Sequence, residues 1–203
     1  MYRSELRALQ AQRTRVAVLD AAGACFVERG YAATTMKDIA AAAGVSVQTV
    51  FGQGSKAALM LACVDRAVVG DDESAPLIQR EPVVRMMTAP TKAEKLRSMR
   101  QLALLSVPAI GPIHGAFTAA AAVDAEIAVA WTEYERRRYE DFSAMMESFR
   151  PWLREGLDIG RATDIVWGVL SETTANALID RRGWTVDEYA DWLIDAFERL
   201  LLR

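Results

Sequence analysis

The stretch AAAGVSVQTVFGQGSK, residues 41–56, sets a glycine-centred turn before a short segment that ends in two further glycines and a lysine. Ser46 suits a helix start, because its hydroxyl can accept one of the backbone N–H groups that a first helical turn leaves open. Gly44 before it and Gly52 and Gly54 after it confine that helix to little more than one turn, through about Phe51. Upstream, Thr35 and Asp38 form a Thr-x-x-Asp capping arrangement that opens another helix, which Gly44 closes after a run of alanines. Before that, Val16, Leu19, Gly23 and Phe26 fall on one stripe of a helix expected from about Thr14 to Arg29, with Gly30 as its left-handed stop. A helix, an AGVS turn and a short second helix make a helix-turn-helix, the arrangement that sets its second helix in the major groove of DNA.

Charge points the same way. Residues 1–56 carry seven Lys and Arg against four acids, a balance of +3, whereas the whole chain stands at -3. A basic head on an acidic body suits a protein that presents one end to a polyanion. The opened helix start at Ser46 suits a phosphate, Gln48 and Thr49 are short enough to reach base edges, and Lys56 could neutralise a further phosphate. Thr35 and Ser46 serve equally well as plain helix caps, Val47 as a packing residue, and Lys56 as a solvated lysine.

Downstream, helical periodicity continues and no alternating run argues for a strand. A fourth helix is expected from about Ser55 to Val69, followed by GDDESAP, whose charge and proline mark a linker. Prolines 76, 82 and 90 are expected to keep the chain irregular until Thr91 and Glu94 cap a helix that ends near Val107. A helix from about Pro112 to Val123 should follow, then a long one from Asp124 to about Arg150. The run ERRR within it is flanked by acids and reads as a solvated face of ion pairs. Two apolar helices finish the chain, from about Thr163 to Asp180 and from a Thr185–Glu188 cap to about Leu202.

The segment GYAATTMKDIAAAAGVSVQTVF, residues 30–51, extended backward through DAAGACFVERG, resembles the DNA-binding segment of the TetR family of transcriptional repressors. The LacI family has a similar helix-turn-helix, but a full helix precedes the motif here, and the remaining residues are helical and too few for a large sugar-binding domain. The resemblance implies an all-α protein of about nine helices: a three-helix DNA-binding domain over residues 1–56 joined to a larger helical effector-binding and dimerisation domain over residues 57–203. It implies DNA contacts from Thr35, Ser46, Val47, Gln48, Thr49, Phe51 and Lys56. In one place the match departs from the family pattern, aromatic-x-x-Phe-x-x-Lys: Phe51 and Lys56 are one residue too close, the second aromatic is absent, and Phe51 lacks the phosphate-binding hydroxyl of the family's usual tyrosine.

The expected function is that of a ligand-responsive repressor. A homodimer, paired through the two C-terminal helices, would read a palindromic operator in double-stranded DNA. The alternative is a small-molecule-binding dimer whose altered FGQGSK turn has weakened or abolished DNA binding. An apolar effector cavity is expected from Met99, Leu102, His114, Phe117, Trp131, Tyr134 and Trp167, for each of which ordinary core packing is the plainer role.

Other chemistries find no support. GQGSK lacks the ending of a phosphate-binding loop, GVSVQ is no nucleophile elbow, and a single histidine with no ligand-spaced cluster argues against a metal site, a cofactor or a catalytic triad. Cys25 and Cys63 form no CxxC pair and read as buried reduced thiols of a cytoplasmic protein. The N-terminal residues show no secretory pattern. The charge-free run from Gln101 to Val123 has the length of a membrane span, but its prolines and glycines favour a buried helical hairpin.

Overall fold

The computed structural model describes residues 2–69 and 77–203. The expected linker GDDESAP, residues 70–76, lies outside the described residues. Among those described there are ten α-helices, and no strand beyond an isolated bridge that pairs Leu153 with Leu202. The helices are α1 (Tyr2–Arg29), α2 (Met36–Ala43), α3 (Val47–Phe51), α4 (Lys56–Val69) and α5 (Glu81–Thr88), then α6 (Lys92–Ala121), α7 (Ala125–Phe149), α8 (Ile159–Val169), α9 (Glu172–Arg182) and α10 (Val186–Leu201). The all-helical reading of the sequence therefore holds.

The chain divides into two compact units, one comprising the residues up to Arg66 with Pro112–Thr132, the other Ala67–Gly111 with Glu133–Arg203. In the first, the α1 stripe of Val18, Leu19, Ala22 and Phe26 is buried. Arg66 clamps α4 to α1, with Nη2 2.8 Å from Asp20 and Nη1 donating to the Val16 carbonyl. Cys25 and Cys63 are buried free thiols, and burial pushes the Cys63 thiol up to about 12, which keeps it protonated and unreactive. The second unit has its own core around Met86, Met146, Phe149, Tyr189, Phe197 and Leu201. Lys95, 3% exposed, sits in that unit with its ammonium donating to the Met86 and Met87 carbonyls at the end of α5.

Several boundaries differ from those expected. Helix α1 begins at Tyr2 rather than near Thr14, because residues 2–13 contain no breaker and are rich in strong helix formers. Pro82 does not keep the chain irregular; it occupies the first turn of α5, where its missing N–H has no role.

The expected hairpin around Pro108 and Pro112 is instead the single continuous helix α6. Both prolines are solvent-exposed, on the side of the helix away from the core. By length and composition alone α6 could cross a bilayer, yet Met99, Ala103, Ile110, Ile113, Phe117 and Ala120 along it are buried in the fold.

The helix expected from Thr163 to Asp180 is broken into α8 and α9. Ser171 caps α9 by accepting from Thr174 N, and the Leu170 carbonyl at the break is taken by Arg138 Nη2 at 2.8 Å. That same Arg138 corrects the reading of ERRR as a wholly solvated face. Arg136 pairs with Glu133 and Glu140 on the surface as expected, but Arg138 is only 9% exposed.

Candidate nucleic-acid interface

The head is assembled by short-range caps. Gly30 takes a left-handed conformation at φ 77° after α1, and buried Thr34 then donates to the Gly30 and Cys25 carbonyls, which fixes the turn into α2. Thr35 accepts from Asp38 N at 3.1 Å while its own N–H and hydroxyl bind the Asp38 carboxylate, a complete capping box. Those two hydrogen bonds from Thr35, with Arg29 at 3.3 Å, hold the Asp38 carboxyl below the usual carboxylate range.

The turn between α2 and α3 needs glycine at position 44, where φ is 67°, a conformation that costs an L side chain about 1 kcal/mol or more. Val45 N then bonds back to the Ala40 carbonyl, and α3 leaves at once. Ser46 Oγ accepts from Thr49 N at 3.0 Å and lies 2.8 Å from Thr49 Oγ1. One residue of α3, Val50, is fully buried and anchors the helix, which leaves Val47, Gln48 and Phe51 turned outward, the last 60% exposed. Short polar and apolar side chains on a capped, outward helix are the elements that read base edges in a major groove.

Lys56 occupies a place that the sequence did not suggest. Its ammonium donates to the Tyr31 carbonyl at 3.0 Å and the Thr34 carbonyl at 3.1 Å, and lies 4.0 Å from the centre of the Tyr31 ring. Two of its three N–H groups thus close the α1–α2 turn from the start of α4, leaving one donor for a phosphate. The turn before it is compressed, with Gly54 at φ 136° and Gly52 still helical. Lys56→Met keeps the aliphatic stem and removes the donors, so it is expected to destabilise the head by about 1–2 kcal/mol, read as a lower thermal midpoint. An unchanged midpoint would show that these bonds do not hold the turn in solution.

The residues expected to line an effector cavity divide between the two units. In the first, His114 is buried and its ring lies 5.0 Å from that of Trp131, which in turn stands edge-on to Phe117 at 5.0 Å. In the second, Met99 is a buried core residue and Leu102 packs beside it. Tyr134 is buried with its hydroxyl 3.4 Å from Glu172 Oε1, while Trp167 is 41% exposed.

Sequence reading missed the charged group beside these last two. Arg138 Nη2 lies 3.2 Å from Glu172 Oε2 and Nη1 lies 3.7 Å from Glu135, with the guanidinium 4.8 Å from the centre of the Phe142 ring. Burial raises the Glu135 carboxyl and holds the Tyr134 hydroxyl well above its ordinary range. Among the described residues no group of three or more His, Cys, Asp or Glu is placed to hold a metal ion.

Residues 18–63 match the family described as bacterial regulatory proteins, tetR family. That family is one of transcription regulators, not enzymes. The whole chain has the corresponding fold. It superposes with a TM-score of 0.72 on SmeT bound to triclosan, at 21% identity over 95% of this chain and 93% of that one; SmeT is the repressor of the Stenotrophomonas maltophilia multidrug efflux pump SmeDEF. NalD of Pseudomonas aeruginosa, the secondary repressor of the MexAB-OprM pump, is 22% identical over 96% and 98% of the two chains, with a TM-score of 0.65. A transcriptional regulator from Saccharomonospora viridis in complex with choline is 19% identical over 93% and 97%, with a TM-score of 0.68. No curated protein matches the sequence.

Proposed function

We propose, starting from a head that belongs to the tetR family of bacterial regulatory proteins, that the protein is a cytoplasmic, ligand-responsive repressor that binds a palindromic operator as a homodimer. The observation that carries this reading is the presentation of α3: Val50 buried, Val47, Gln48 and Phe51 outward. Gln48 reads a base edge, Val47 and Phe51 supply apolar contact to thymine methyl groups, and Ser46 with Thr49 meets the backbone or an adjoining base. Thr35, its hydroxyl already in a cap, presents its helix start to a phosphate, and Lys56 adds its third donor.

One α3 reads too few bases to be specific, so two copies spaced by about 34 Å or a multiple are required. The α8–α9 stretch and α10 form the dimer face, where Trp167 and Leu200, 41% and 42% exposed, offer apolar surface. The effector is a largely apolar small molecule, in keeping with the triclosan held by a protein of the same fold. Within the second unit, Met99, Leu102, Tyr134 and Trp167 are its proposed lining. A coupling of about 1–3 kcal/mol between effector and DNA would suffice for release.

Selection of duplexes from a random pool by the purified protein tests this reading. The expected product is an inverted repeat whose half-site centres lie about 34–36 Å apart or at a multiple of that distance. A second reading, a ligand-binding dimer with weakened DNA affinity, is favoured by the missing hydroxyl on Phe51 and by the capture of Lys56 in the turn. It predicts that the pool emerges without enrichment.

A further inference from the structure

From the middle of α1 to the end of α4, residues 16–69, the chain carries four cations: Arg29, Lys37, Lys56 and Arg66. Three of them hold the head together. Arg29 lies 3.3 Å from Asp38, Arg66 lies 2.8 Å from Asp20, and Lys56 gives two donors to the Tyr31 and Thr34 carbonyls. Lys37 is exposed, and among the described residues no ion pair or hydrogen bond engages its ammonium.

Its position makes that isolation costly. Lys37 is the second residue of α2, where the helix dipole presents its positive end and disfavours a cation. Asp38 beside it is turned to the Thr35 cap and to Arg29. The arrangement becomes favourable when an anion from outside the chain meets the ammonium.

The faces of α2 name that anion. Ile39 and Ala40 are its buried residues. Lys37, Ala41 and Gly44 fall on another strip, spaced by four and three residues, and all three are exposed. That strip runs into the turn that begins α3, where Ser46, Val47 and Gln48 are exposed in succession. The rise of a helix sets Lys37 about 10 Å along α2 from Gly44, close to the roughly 12 Å width of a major groove. With α3 in the groove, the first helix of the motif crosses the sugar-phosphate backbone at the groove's edge. Lys37 is the charged residue of the strip that makes this crossing, and Ala41 and Gly44 add no bulk to hold it off.

We infer, resting on the repressor reading above, that Lys37 neutralises a DNA phosphate beside the groove that α3 enters and is the main backbone cation of the head. It has three donors for that phosphate, where Lys56 has one. The contact positions the head and reads no sequence.

Anisotropy titrations of the wild-type, Lys37→Gln and Lys37→Arg proteins test the assignment, on the selected operator and on a random duplex, across salt from about 50 to 200 mM. Lys37→Gln should flatten the slope of log affinity against log salt by about 1.8 on both DNAs, about 0.9 for each of two protomers. Lys37→Arg should keep the wild-type slope, because a guanidinium also meets a phosphate. Lys37→Gln should melt no lower than the wild type, because it removes a cation from the first turn of a helix. An unchanged slope, or a loss confined to the operator, would overturn the assignment. So would a lower melting midpoint in Lys37→Gln, which would give the ammonium a partner within the protein. Should the wild type bind neither DNA even at low salt, the repressor reading falls and takes Lys37 with it; should it bind with a slope that Lys37→Gln leaves unchanged, Lys37 falls alone.

Discussion

Arg138→Met is expected to reduce the stability of the protein by about 3–5 kcal/mol, the cost of removing one partner from a buried ion pair. The guanidinium is 9% exposed and its Glu172 partner 14%. The Coulombic attraction between them is not what sets the magnitude, since desolvation of two buried ions offsets most of it. The cost comes from what remains: the Glu172 carboxylate without its arginine and the Leu170 carbonyl without the donor that stood 2.8 Å away. Methionine retains the volume of the stem beside Phe142, so the loss reports on charge rather than on packing.

A double variant separates these contributions. Arg138→Met combined with Glu172→Gln removes the orphaned charge and should recover at least about half of the loss, a coupling of the size seen between residues in one network. Urea unfolding followed by tryptophan fluorescence gives both numbers, provided that the slope stays constant among variants. A single variant within about 1 kcal/mol of the wild type would mean that this cluster is open to water in solution.

How far the sequence foretold the molecule depended on the distance between interacting residues. The caps at Thr35, Ser46 and Thr185 were legible because each joins a side chain to a backbone N–H three residues on, and the helices they open appear where expected. The continuity of α6 through two prolines was not, because their placement on the exposed side of the helix is set by packing that their neighbours in sequence do not announce. Nor was the break between α8 and α9, where Arg138 of α7 holds the carbonyl that a continuous helix would use internally.

The site shows the same division. Gln48 as an outward residue was legible from the short polar face of α3, but the choice of Val50 over Val47 and Phe51 as the buried anchor was not. Lys56 binds carbonyls 22 and 25 residues earlier, and no local pattern announces such a bond.

Gln48→Ala should weaken binding to the selected operator by about 1–3 kcal/mol per half-site, the value of one bidentate amide contact to an adenine edge. In a two-fold dimer the change acts twice, so the total is about 2–6 kcal/mol, or roughly thirtyfold to twenty-thousandfold in affinity. Binding to a random duplex should scarcely change, because an uncharged amide contributes no counterion release and the salt slope comes from phosphate contacts. That asymmetry distinguishes base reading from mere support of α3. Gln48 is exposed, and the helix is held by the Ser46 cap and by Val50, so truncation leaves the fold intact. Paired competition titrations on operator and random duplex at two salt concentrations give both losses. Equal losses on the two DNAs would remove Gln48 from the base edges.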